Sequence, residues 1–308
     1  MRKKIAILIS GHLRCVSKTL ANMKRYNPEF FDSNITDVFV HTWKGENKSC
    51  WSLYPSQGWR FTNTHCPSYM CKMFSMSYLK DKINVVSSLE EEDQTSEPMA
   101  MFGHNKYVIS IASMIYARQK VYSLMEEYSK ANNVSYDIVI RTRPDIRYDS
   151  SIPIDDLIEK INTNKCELFV PQGQEWGGIT DQMSIGSMRA IKTVCDLYET
   201  IKKNKDGILN AYSNRLPESV ENMLAQHIGF YGLNYEVIPI KHGLYRYVEI
   251  DNNVMECIKK NNEQYKDLPD GHKWKPIPNH PYGFSQADID CGLMVEEVDG
   301  INYLTFGA

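Results

Sequence analysis

Apolar residues in this chain fall into short unbroken blocks, separated by longer stretches in which they recur every three or four positions. Ile5-Ala-Ile-Leu-Ile9, set between charge and the polar Ser10-Gly11-His12, reads as a fully buried strand ending in a turn. Residues 14–26 carry Val16, Leu20 and Met23 at helical spacing, and Asp37-Val-Phe-Val-His41 reads as a second buried strand. A buried strand, a helix and another buried strand form the unit with which a parallel sheet begins.

Residues 45–100 show little periodicity and carry the acidic run Glu90-Glu-Glu-Asp93, so a long substrate-facing segment is expected there. From Lys106 to Ala131, Ile109, Ala112, Ile115, Tyr116, Val121 and Leu124 mark a long amphipathic helix that packs on the sheet. Tyr136-Asp-Ile-Val-Ile140 is a further strand, and Glu167-Leu-Phe-Val170 another before a Gly-rich turn. A strand within 181–186, a helix over 188–202, a helix from Pro217 to Ile228 and a last strand at 235–240 follow. The alternation predicts an α/β fold: a Rossmann-type, mostly parallel sheet flanked by helices, in one domain over residues 1–250. Residues 251–308, rich in proline and polar residues, are expected as an extension packed on that domain.

Composition narrows the function. The chain has 308 residues, 42% of them hydrophobic, enough for a full core. A net charge of −3 gives no basic field for nucleic acid, which is excluded as the main partner. No run approaches the roughly 20 apolar residues of a membrane span, so the expected location is cytoplasmic, with peripheral association at the inner face of the membrane left open. The eight cysteines are scattered and read as free thiols; Cys66 and Cys71 with His65 lack the second pair that would complete a tetrahedral zinc set.

Polar chemistry gathers where the strands end. Arg141-Thr-Arg-Pro-Asp-Ile-Arg147 begins where an apolar run stops, and Pro144 excludes regular pairing there. In open α/β sheets that edge is where ligands bind. Arg141 and Arg143 offer planar forks for phosphate oxygens, and Asp145 offers a hard oxygen ligand for Mg²⁺ or Mn²⁺. The same residues also suit a salt-bridged strand end.

The order of Ser10-Gly-His-Leu-Arg14, His41-Thr-Trp43, Tyr136-Asp-Ile-Val-Ile-Arg-Thr-Arg-Pro-Asp145, Asp181-Gln-Met-Ser-Ile-Gly-Ser187 and Pro217-Glu218 resembles the WavE-like bacterial lipopolysaccharide and capsule glycosyltransferases over roughly residues 3–250. The resemblance implies a GT-A nucleotide-diphospho-sugar transferase fold, a nucleotide-sugar donor and a glycan acceptor. In such enzymes an Asp-x-Asp motif holds a divalent metal and the diphosphate. Here the matching segment is Arg143-Pro-Asp145, with the second carboxylate alone, which puts metal dependence in doubt. By the same resemblance Ser10, Gly11 and Arg14 approach the nucleotide, and Asp181 matches the family's second acidic motif, for acceptor binding or catalysis; Asp181 and Glu218 are the candidate catalytic bases. His41, at the end of the second strand, either faces the same crevice or is a satisfied structural histidine, and Arg246 and His242, just after the last strand, either close on the diphosphate or face solvent. Gly11 equally serves a turn, and Glu218 equally serves as a helix-start acid. Two other functions stay open: a sugar-phosphate nucleotidyltransferase, for which the first loop is short of glycines, and a nucleotide-sugar-binding protein without turnover.

Overall fold

The computed structural model describes residues 3–13, 16–44, 75–91, 97–98, 106–173, 178–203, 220–244, 248–249, 293–298 and 301–306. Strands β1 (Ile5–Ser10), β2 (Thr36–Trp43), β3 (Val85–Glu91) and β4 (Ile138–Thr142) come first along the chain. Then follow β5 (Ile146–Tyr148), β6 (Leu168–Pro171), β7 (Ser184–Gly186), β8 (Tyr235–Ile238) and β9 (His242–Leu244). Between them run α1 (Val16–Tyr26), α2 (Met76–Lys82), α3 (Lys106–Asn132), α4 (Ile154–Asn162), α5 (Met188–Cys195), α6 (Leu197–Lys203) and α7 (Val220–Phe230).

Seven strands form one sheet in the order β3-β2-β1-β4-β7-β6-β8. Neighbours pair in parallel except β7, which runs against both β4 and β6. The fold is therefore the expected mixed α/β type, a mostly parallel sheet flanked by helices. After β1 the chain moves outward through β2 and β3, then returns through α3 to lay β4 on the other side of β1. The direction of winding reverses between β1 and β4, and the ligand crevice of an open α/β sheet forms at the carboxyl ends of such strands.

The central strands are buried on both faces, which is why they read as continuous apolar runs. Helix α3 covers β1, β2 and β3 and buries Ile111, Ile115, Val121 and Met125 in a cluster with Ala6, Leu8, Phe39 and Val139. Several elements depart from the sequence expectation. Helix α2 and strand β3 lie inside the stretch read as irregular, with Glu90 and Glu91 on the edge strand instead of in a loop. The expected 188–202 helix breaks at Asp196, whose N–H still closes on the Lys192 carbonyl as the C-cap of α5. Strand β4 runs two residues beyond Ile140, so Arg141 and Thr142 belong to the sheet.

The chain divides into two compact units, residues 1–13, 22–44 and 75–244, and residues 14–21, 45–74 and 245–308. The sheet above belongs to the first. Within the second, β10 (Val248–Glu249), β11 (Leu293–Val298) and β12 (Ile301–Phe306) form an antiparallel sheet in the order β10-β12-β11. That hairpin lies in the Pro- and polar-rich segment 251–308, for which no strand was expected. Its signal was present in sequence: Asp299-Gly300 between two apolar-rich runs is a strong hairpin pattern.

Candidate functional site

Ser10 ends β1 beside His41 on β2, and the Gly11 N–H donates to the His41 carbonyl at 3.1 Å. Gly11 has φ +132°, a conformation L side chains rarely adopt. A Cβ there would lie 3.3 Å from Pro144 Cδ. The loops that follow β1 and β4 thus touch directly at the winding reversal, and glycine is what lets them approach.

Just beyond that contact, Arg143 donates from Nε to Asp145 Oδ1 at 2.8 Å and from Nη2 to Oδ2 at 2.9 Å. The Arg143 side chain keeps 19% exposure while that of Asp145 keeps 2%. Burial alone would lower the guanidinium pKa, but the Asp145 carboxylate outweighs it and holds the charge firmly on. The fork is pre-oriented at the crevice, with one edge spoken for by its own chain.

The same geometry tests the divalent metal. Both Asp145 oxygens accept from Arg143, so a cation at that carboxylate would face a guanidinium at hydrogen-bond range. Among the described residues, no group of three or more His, Cys, Asp or Glu converges in metal-binding geometry. The donor set present does not fit a divalent ion at Asp145.

Arg141 pairs in register with Leu8 on β1 and with Ser184 on β7, facing α3. It is fully buried and donates from Nη1 to the main-chain carbonyl of Asp181. A second buried arginine, Arg118 of α3, donates from Nη2 to the same carbonyl at 3.0 Å and to Asp181 Oδ2 at 2.6 Å. Burial alone would raise the Asp181 pKa, but Arg118, Arg143 and Arg141 together pull it below the ordinary value. Its carboxylate is an ion-pair partner in this arrangement, and a group with a depressed pKa is a weak proton acceptor. Arg118 was absent from the sequence reading. Its signal is positional: Ile111, Ile115, Tyr122 and Met125 stand seven before, three before, four after and seven after it, placing a charge on the buried stripe of α3.

His41 is buried at the end of β2, with Nε2 2.8 Å from Glu91 Oε2, while the Tyr116 hydroxyl donates to Glu91 Oε1 at 2.9 Å. Burial, with Lys120 nearby, lowers the imidazole pKa despite the Glu91 carboxylate. Trp43 packs edge-on at 5.0 Å between ring centroids. Sequence gave no reason to join Glu91 or Tyr116 to His41, because β3 was not recognised as a strand. The structure therefore brings Gly11, Arg143 and Asp145 to one edge, with Ser10, His41, Arg141 and Asp181 buried alongside. Arg14, Glu218 and Arg246 lie outside the described residues, as do Cys66 and Cys71. His242 lies on β9, paired with Tyr148 of β5.

No protein-family profile matches the chain, and no curated protein matches it. Among solved structures, the crystal structure of mouse xyloside xylosyltransferase 1 in its apo form aligns with a TM-score of 0.38 and 8% identity. The alignment covers 77% of this chain and 84% of that one. Among the described residues no helix is long and apolar enough to cross a membrane.

Proposed function

We propose that the protein is a glycosyltransferase that moves a sugar from a nucleotide-diphospho-sugar donor to a glycan acceptor. The observation that carries this reading is the approach of Gly11 to Pro144 at the winding reversal, with the Arg143–Asp145 fork just past the end of β4. A diphosphate is the ligand chemistry such an edge suits: close backbone approach on one side and a planar guanidinium on the other. The acceptor, a capsule or lipopolysaccharide glycan, rests on the order of the five sequence motifs.

In this reading the acceptor hydroxyl attacks the anomeric carbon, the bond to the diphosphate breaks, and Arg143 stabilises the charge that develops on the leaving oxygens. Asp145 holds the fork in place beforehand, so that little reorganisation is needed at the moment of reaction. Asp181, tied to Arg118, organises the turn before β7. Glu218 is then the candidate base between the two acidic residues. His41 and Ser10 belong to the nucleotide side of the same edge.

A thermal-shift screen against UDP-, GDP-, CMP- and dTDP-sugars tests the reading, because a ligand of the native state raises its stability by mass action. One nucleotide family should raise the unfolding midpoint, and incubation with that donor should release free nucleotide slowly. No shift with any of the four classes overturns the proposal. A shift without any nucleotide release or sugar transfer reduces it to donor binding alone.

A further inference from the structure

Arg118 and Arg141 both donate to one oxygen, the Asp181 carbonyl, so two guanidinium groups converge inside the protein on a single carboxylate-bearing residue. Their remaining nitrogens, Nε and Nη1 of Arg118 and Nε and Nη2 of Arg141, are buried and have no hydrogen-bond partner among the described residues. Beside them on β7 the Ser184 hydroxyl, in register with Arg141 across the antiparallel pair, is also buried without a partner. Opposite residues of an antiparallel pair share a face. Helix α3, strand β4 and strand β7 thus each direct an unsatisfied donor group to the same side of the sheet, just below its carboxyl edge.

Charge balance makes the same demand. Arg143 is matched by Asp145, which among the described residues leaves Asp181 as the carboxylate set against Arg118 and Arg141. Arginine keeps its proton in proteins, so the excess charge cannot be shed by titration. Leaving buried donors unmade is costly, and a buried charge needs a partner.

We infer that Arg118, Arg141 and Ser184 form an oxyanion-binding pocket that takes a phosphoryl group of the ligand, beneath the Arg143 fork. The inference deepens the proposed function: Arg143 meets the diphosphate at the lip and this trio meets it inside. Residues Ile179–Met183, which carry Asp181 over the pair, belong to no helix or strand, and entry of the anion requires this stretch to yield.

Inorganic pyrophosphate is the probe, titrated against the full chain with sodium chloride at matched ionic strength as the control. The wild type should gain about 5 °C or more in unfolding midpoint at saturation, beyond the salt control. Ser184→Ala is the decisive variant, since it deletes a hydroxyl that bonds nothing in the ligand-free protein. If the hydroxyl has no ligand role, stability and pyrophosphate binding both stay as they are. The pocket instead requires affinity to fall by about tenfold, the usual worth of a hydrogen bond to a charged group. Arg118→Met, where it folds, should abolish the pyrophosphate shift.

No shift in the wild type, or an unchanged affinity in Ser184→Ala, overturns the inference. Nucleotide-sugar binding that persists alongside either result leaves the proposed function standing. Pyrophosphate binding with the expected Ser184 dependence, but no nucleotide-sugar binding, does the reverse.

Discussion

Gly11 and the Arg143–Asp145 pair set the stakes for single residues. Gly11→Ala forces a side chain onto φ +132° and against the Pro144 ring. The strain should cost about 1–2 kcal/mol, read as a lower urea midpoint, and should weaken donor binding by moving the two loops apart. Asp145→Asn and Arg143→Met each break a bidentate pair whose acid is buried, so both should lower stability. The double variant should be more stable than the two single losses imply, with a coupling of about 1–3 kcal/mol in a double-mutant cycle. Additive losses would show that the pair makes no net contribution. Asp145→Asn should also loosen donor binding, because the fork loses the anion that aims it.

At the scale of elements, α7 is fastened to α5 by His227, whose Nε2 lies 2.7 Å from the Thr193 carbonyl. Burial lowers the imidazole pKa below its ordinary 6.5, against that hydrogen bond and the Asp196 charge. Because the folded value is the lower one, the unfolded chain takes up the proton first as pH falls. Stability is therefore full above about pH 6.5 and declines as pH falls through the window down to the folded value. His41 contributes with the same sign. The depressed carboxylates Asp181 and Glu167 add their loss only at lower pH, where the unfolded acids protonate. His227→Gln should flatten the decline in urea midpoint between pH 7 and 5.5, and an unchanged slope would assign it elsewhere. Helix α5 offers a second check: Ser187 caps it by accepting from the Ala190 N–H at 3.1 Å, and its hydroxyl also reaches Glu167. Ser187→Ala should cost about 1 kcal/mol without altering donor binding.

For the whole molecule, the winding reversal and the Arg143–Asp145 pairing make one joint prediction about metal removal. Since the Asp145 oxygens are taken by Arg143, the rise in unfolding midpoint caused by a nucleotide sugar should survive EDTA. Loss of the shift on chelation, restored by Mn²⁺, would mean that the fork opens and Asp145 turns to a cation when donor binds.

The central strands and α3 were legible from the chain because burial on both faces produces unbroken apolar runs, and a long helix produces a sustained stripe. The strand-end position of Arg143-Pro-Asp145 was legible too, since proline ends a ladder. What the sequence could not supply was pairing. Strand β3 sits at the sheet's edge and is only half covered, so Val85-Val-Ser-Ser-Leu-Glu-Glu91 shows no continuous apolar run, and Glu91 was separated from His41 by some fifty positions. Arg141 read as the first polar residue after a strand, yet pairing with β1 runs on to Thr142 while Ser184 of β7 stands opposite Arg141, and its side chain is buried. Local pattern determined the central strands, the long helix α3 and which sheet edge carries the charge. Tertiary structure alone decided that two arginines from α3 and β4 meet over one aspartate, because hydrogen-bond pairing and burial of charge depend on neighbours distant in the chain.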